Sequence, residues 1–198
     1  LWGVWNDSTQ ADTNRLEAMQ DIAWHGNLYS QPDSAYYYAG LVYSMAESIG
    51  NKDWMARALN TQGASYFVHG NYDEALEYWF ESLNINEEIG NKKGYAVQLG
   101  NIGGVYREQG NYEKALAYYS KPIKIFEEND DKGGVAWSYS NIGETYQEQG
   151  DFEQALVYHN KSLKIREEIG HLARADSYNQ IGLICKEQGN YEKALEYY

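Results

Sequence analysis

Four near-copies of one phrase limit what this chain can fold into. GNYDEALEYW, GNYEKALAYY, GDFEQALVYH and GNYEKALEYY begin at Gly70, Gly110, Gly150 and Gly189, spaced 40, 40 and 39 residues apart. A second register, Gly63, Gly103, Gly143 and Gly182, and a third, Ala75, Ala115, Ala155 and Ala194, keep the same step. A fixed period of this size marks one supersecondary unit stacked on copies of itself, because no single unit can bury its apolar face alone. Five residues separate Gly90 from Ala96, but four separate Gly170 from Ala175. The contraction therefore falls between units, where a change of length costs least.

Each unit reads as two helices. In the third, Ala136, Tyr139, Ile142 and Tyr146 share one helical face over about 133–149,. Gly150 ends that helix in the left-handed conformation that favours glycine. Asp151 and Gln154 form a capping box for the next,. Asn71, Asn111 and Asn190 are the corresponding caps. Small residues at Gly63, Gly103, Gly143 and Gly182 are expected to face Ala75, Ala115, Ala155 and Ala194, where the paired helices cross tightly. Pro122 stands where Ser82 and Ser162 stand, inside a helix. It predicts a kink or break between Tyr118 and Ile123, because proline has no N–H to give.

The first fifty residues are a worn copy. Stepping back 40 from Ala75, Ile89 and Gly90 lands on Ala35, Ile49 and Gly50. A helix over 32–49 follows, with Pro32 in its first turn. The stretch 10–29 is its partner, with Thr9 and Asp12 as a capping pair. The expected architecture is all-α, one array over 1–198 of about four and a half antiparallel hairpins and ten helices. It comprises a degenerate repeat at 10–50, full repeats at 53–90, 93–129 and 133–170, and a truncated one at 172–198. Leu195 and Tyr198 lie on an unfinished last helix, which leaves Ile181, Ile184 and Cys185 short of cover. That end predicts self-association or fraying.

These residues resemble the tetratricopeptide repeat. The matching positions in one unit are Leu99, Ile102, Gly103, Tyr106, Ala115 and Tyr119, and the resemblance runs over nearly all of 52–198. Gln62 departs from it at the Ile102 position, and Cys185 at a tyrosine position. The 40-residue unit is similar to the longer-helix branch found in kinesin light chains and spindle-orienting adaptors. The resemblance implies a right-handed superhelical solenoid whose first helices line a concave groove that binds a peptide or partner protein. On that carry-over, Thr61, Asn101, Asn141 and Gln180 form an amide-rich ladder along the groove. The other groove candidates are Arg57, Asn60, Arg107, Trp137, Gln147, Asn179 and Lys186. A carboxamide both donates and accepts, so it pairs with peptide backbone of any sequence. The alternative is that these amides cap or brace neighbouring helices. The lysine position of the chaperone-binding carboxylate clamp holds Asn60, Gly100, Ser140 and Asn179, so a chaperone tail is not the expected ligand. The opening VWNDSTQADTNRL and the phrase SQPDSAYYYA resemble extracytoplasmic repeat regions of bacterial membrane-bound adenylate/guanylate cyclases and sensor kinases. That second resemblance implies a periplasmic or extracytoplasmic setting, with the cytoplasm as the alternative.

Charge narrows the partner. A net charge of −13 lacks the basic footprint that nucleic acid or an anionic membrane requires,. It favours a neutral or basic protein or peptide, although acid also keeps a chain soluble. No apolar run approaches the roughly 20 residues of a membrane helix, so no direct insertion of this segment is expected. One cysteine allows no internal disulfide. His25, His69, His159 and His171 share no metal-ligand spacing, and no phosphate-binding glycine loop exists,. The pairs Glu87–Glu88, Glu127–Glu128 and Glu167–Glu168 recur in repeat register as a solvated face, and the sequons at Asn6 and Asn160 read as chance. The expectation is a binding module with no catalytic residue, metal or cofactor. It serves either as a passive scaffold or as the sensory region of an attached enzyme.

Overall fold

The computed structural model describes residues 1–170 and 174–197. His171 and Tyr198, singled out above, lie outside the described residues. The chain is an all-helical array of antiparallel helix pairs and divides into two compact units, Leu1–Gln98 and Leu99–Tyr198, where the sequence suggests one continuous array. The first unit holds α1 (Trp2–Asn6), α2 (Asp12–Asp21), a π-helical segment Ile22–Asn27, α3 (Pro32–Ser48), α4 (Lys52–Val68) and α5 (Tyr72–Glu88). α6 (Lys92–Glu108) runs through the boundary. The second unit continues with α7 (Tyr112–Glu128), α8 (Lys132–Glu148), α9 (Phe152–Glu168), α10 (Arg174–Glu187) and α11 (Tyr191–Tyr197).

The repeat chemistry explains these boundaries. Most units stop a helix at a glycine with positive φ, between +63° and +80°, at Gly50, Gly70, Gly90, Gly110, Gly150, Gly170 and Gly189. Asp130 takes that conformation in the remaining place. The next helix then starts on a side-chain cap. Asn51, Asn91, Asn111, Asp131, Asp151 and Asn190 each accept the backbone N–H three residues on,. Asn71 is the exception: its side chain makes no cap bond.

Within a repeat, the nearest neighbour of the first helix's glycine is not the alanine of the second helix that the sequence suggests. That neighbour is the aromatic four residues further on. A methyl group at Gly63 would lie 2.8 Å from the Trp79 indole; at Gly103, 3.1 Å from the Tyr119 ring; at Gly143, 2.9 Å from His159 Nε2. The glycine is thus the socket for a large buried ring, while Ala75, Ala115 and Ala155 are fully buried one turn away. A hydroxyl locks two of the pairs: Ser82 donates to the Ala56 carbonyl and Ser162 to that of Ala136, both at 2.8 Å. Tyr66 and Tyr78, Tyr106 and Tyr118, and Tyr146 and Tyr158 stack at 5.4, 5.4 and 5.6 Å. These stacks account for part of the chain's abundance of tyrosine.

The structure corrects four further expectations. Of the kink or break expected at Pro122, the break does not occur: α7 runs continuously through the buried proline. The first helix, expected over about 10–29, is helical from Asp12 to Asn27 but changes to π geometry after Asp21, and α1 precedes it. Thr9 and Asp12 do not cap it: Ala11 is the N-cap, and Thr9 instead bonds Asp7 through its N–H and its hydroxyl. At the C-terminal end, Ile181, Ile184 and Cys185 are buried, and Leu163 and Ala194 pack with Ile181 and Cys185, so even a short α11 supplies cover. Tyr191 and Leu195 remain exposed there. No helix of the described residues is long and apolar enough to cross a membrane.

Candidate functional site

Each unit carries a pocket on its first-helix face, and the two differ in how far their polar groups are already engaged. In the first unit a cavity of about 340 Å³ includes Arg57 and Asn60, together with Gln20, Trp24, Val97 and Gln98. The π-helical turn after Asp21 holds Trp24, half-buried, at this wall. Most of the surrounding polar groups bond one another. Gln20 Nε2 donates to the Thr61 hydroxyl at 2.6 Å, and that hydroxyl donates to the Arg57 carbonyl. Thr61, the first rung of the expected ladder, is therefore buried against α2. Arg57 Nε donates to Asp53 at 2.8 Å, and its guanidinium lies 4.9 Å over the Trp54 ring. Asn91 donates to the other Asp53 oxygen at 3.1 Å, and Asn86 donates to the Ser82 carbonyl.

In the second unit a cavity of about 360 Å³ brings together Trp137, Asn141, Asn179 and Gln180 from the sequence-derived set. Arg166, Asp176 and Glu144 join them. Trp137 lies where a side chain at Gly100 would project, so the bare backbone at Gly100 makes room for the indole. Asn141 donates to the Trp137 carbonyl at 3.0 Å, leaving its own oxygen without a donor among the described residues. Asn179, Gln180 and the Trp137 indole N–H make no side-chain hydrogen bond there. Arg166 is fixed from below: Nη1 donates to the buried Ser177 hydroxyl at 2.8 Å, and burial lowers the guanidinium pKa against the opposing pull of Asp176 and Glu144. The pocket thus holds a cation, carboxylates and unspent amide groups beside one aromatic wall.

Gln147 lines an adjoining pocket of about 450 Å³ with Glu144, Glu148, Phe152, Gln180 and Glu187. Burial raises the Glu148 pKa even though the Arg107 charge opposes it. Arg107 is not presented outward: it is ion-paired with Glu144, and its Nε stands 3.5 Å from Glu148. Asn101 is half-buried on α6 and Lys186 exposed on α10; neither lines the Trp137 pocket. His159 serves as a core residue, fully buried with neither ring nitrogen bonded among the described residues; burial pushes its pKa down to about 4. The paired glutamates are surface groups, with Glu88 ion-paired to Lys52 and Glu168 to Lys132. Sequence reasoning missed Trp24, since nothing in the sequence marks a π turn. It also missed Arg166, which a comparison of repeats flags: the same slot holds Asn86 and Phe126.

The fold and these first-helix faces define a repeat protein built for interaction. The tetratricopeptide repeat family matches the chain over residues 54–128, 95–168 and 134–198. The chain belongs to that family, a tetratricopeptide protein-interaction module. No curated protein matches its sequence. Among solved structures, it resembles a Rap protein complexed with competence and sporulation factor, with 16% identity, a TM-score of 0.83, and coverage of 97% of this chain and 54% of that one. BtubC from P. vanneervenii shares 19% identity at a TM-score of 0.66, with 94% and 85% covered. A putative kinesin light chain of Podosopora anserina with nearly identical repeats shares 14% at 0.69, with 95% and 93% covered. The chain thus spans about half of the Rap protein.

Proposed function

We propose that this chain is a docking module, without catalysis of its own, that holds an extended peptide or partner-protein segment on its first-helix faces. The observation that supports this reading is the convergence of Asn141, Asn179 and Gln180 with the Trp137 indole N–H around one pocket, with hydrogen-bonding capacity left over. Carboxamides with free donors and acceptors pair with a peptide backbone whatever its sequence. Glu144, Glu148, Glu187 and Asp176 border these pockets and favour a neutral or basic segment,. A Rap protein of similar fold carries a bound factor, which is consistent with such a role.

The test is selection of peptides from a random display library on the intact chain, followed by titration against Asn141→Ala/Asn179→Ala. Loss of a net hydrogen bond or two, about 1 kcal/mol or more, should weaken binding at least about fivefold. Selected peptides that bind wild type and variant equally would sink the amide reading. A second reading, a sensory region attached to a membrane-bound cyclase or kinase, is supported by the opening VWNDSTQADTNRL. Sequencing the gene downstream of Tyr198 tests it; the absence of both a membrane span and an effector domain would remove it.

A further inference from the structure

A repeat array contains its own controls, because a residue that packing requires recurs in every copy. The pocket of the second unit departs from the other copies at several points at once. Arg166 stands where the other repeats bury Asn86 and Phe126. Trp137 stands where Arg57 and Val97 stand, and Asp176 falls in the same slot one repeat on. Packing demands none of the three, since the neighbouring repeats pack without them. All three side chains nonetheless meet at one cavity.

We infer that this cavity is a binding site for a free α-amino acid with an apolar or aromatic side chain. Such a zwitterion has two charged poles a few ångströms apart and a side chain leading away from them. Arg166, held by the buried Ser177 hydroxyl, faces the carboxylate. Asp176 faces the ammonium, and it lines the cavity together with Arg166. The Asn141 oxygen and the Asn179 and Gln180 amides supply the remaining acceptors and donors. The Trp137 indole, seated over Gly100, walls the apolar side. A cavity of about 360 Å³ accommodates one residue and not a folded partner. The inference shares this pocket and its amides with the peptide reading; it is tested through Arg166 and Asp176, whereas that reading is tested through Asn141 and Asn179.

The experiment is a thermal-shift and calorimetric titration of the intact chain with leucine and phenylalanine at millimolar concentration. N-acetyl-leucine and leucine methyl ester serve as controls lacking one charge each. The free amino acids should raise Tm and give saturable heats, and both blocked analogues should bind at least about tenfold more weakly. Arg166→Gln and Asp176→Asn should each lose at least about tenfold in affinity; Asp176 is exposed, so its variant keeps the fold if Arg166→Gln does not. Silence of both free amino acids, equal binding of the blocked forms, or undiminished binding by Asp176→Asn would overturn the inference. Binding of leucine methyl ester alone would assign the pocket to an amino terminus and overturn it as well.

Discussion

The two first-helix pockets begin from the same repeat plan and end in opposite states. In the first unit, Gln20 reaches from α2 to Thr61, Asp53 gathers Arg57 and Asn91, and Asn86 turns back to Ser82. Most of that polar chemistry is consumed internally. In the second unit, Asn179, Gln180 and part of Asn141 have no hydrogen-bond partner among the described residues around Trp137. The difference originates in the neighbouring helix. α2 and its π turn bring Gln20 and Trp24 onto the first pocket, and no described residue fills the second in the same way. A repeat position therefore has no fixed role: the same slot becomes a structural brace or an open binding group according to what stands opposite.

The largest expected effect separates the units by pH. In the first unit the socket aromatic is Trp79, whose indole donates to the Asn60 carbonyl and does not titrate. In the second they are Tyr119 and His159, and burial pushes the pKa of His159 from 6.5 down to about 4. Below pH 6.5 the unfolded chain binds a proton that the folded chain refuses until about pH 4. Stability is thus full above 6.5 and falls as pH drops through that window. At about 1.4 kcal/mol per pH unit, the loss approaches about 3 kcal/mol. Urea unfolding from pH 7 to pH 4.5, with hydrogen exchange to locate the change, should show α8 and α9 weakening before α4 and α5. His159→Phe should remove this part of the dependence. An unchanged pH profile in that variant counts against the assignment.

A smaller effect concerns the slot shared by Ser82, Pro122 and Ser162. Ser82 and Ser162 each tie a second helix to a first by one hydroxyl bond, and Pro122 has none to offer. An interior proline costs about 3 kcal/mol in an isolated helix, and the burial of Pro122 offsets part of that. Pro122→Ser should stabilise the chain by about 1–2 kcal/mol, which raises Tm by about 2–8 °C. Calorimetry that shows no rise, or a fall, would mean that the proline is fully accommodated by its packing.

The smallest effect bears on the ladder itself. Thr61→Val strips the acceptor from Gln20 and should cost about 1 kcal/mol,. Gln180→Ala removes a side chain with no described hydrogen-bond partner and should change stability by less than about 0.5 kcal/mol,. Equal losses in chemical denaturation would erase the contrast between the units.

Much of the fold was legible because the repeat fixes it. Helix ends followed from the periodic glycines and from caps such as Asp151, and the bounds of α8 differ from the expected 133–149 by one residue at each end. Legibility failed where the outcome depends on long-range packing. The π turn at Ile22–Asn27 has no local signature, and the socket at Gly63 is filled by Trp79 rather than Ala75 because the ring reaches further than the methyl group. The site was partly legible. Trp137, Asn141, Asn179 and Gln180 followed from register and meet in one pocket, while Arg107 was expected to face a ligand and is instead ion-paired to Glu144. Register places a residue on a face, but the charge opposite it decides whether it stays available.

The most direct test of the contrast between an open pocket in the second unit and a largely engaged one in the first is side-chain amide NMR with a peptide selected on the intact chain. The NH2 resonances of Asn141, Asn179 and Gln180 should shift on titration, while those of Gln20, Asn86 and Asn91, already held by protein acceptors, should stay in place. Shifts confined to Gln20, Asn86 and Asn91, with Asn141, Asn179 and Gln180 unmoved, would contradict the account.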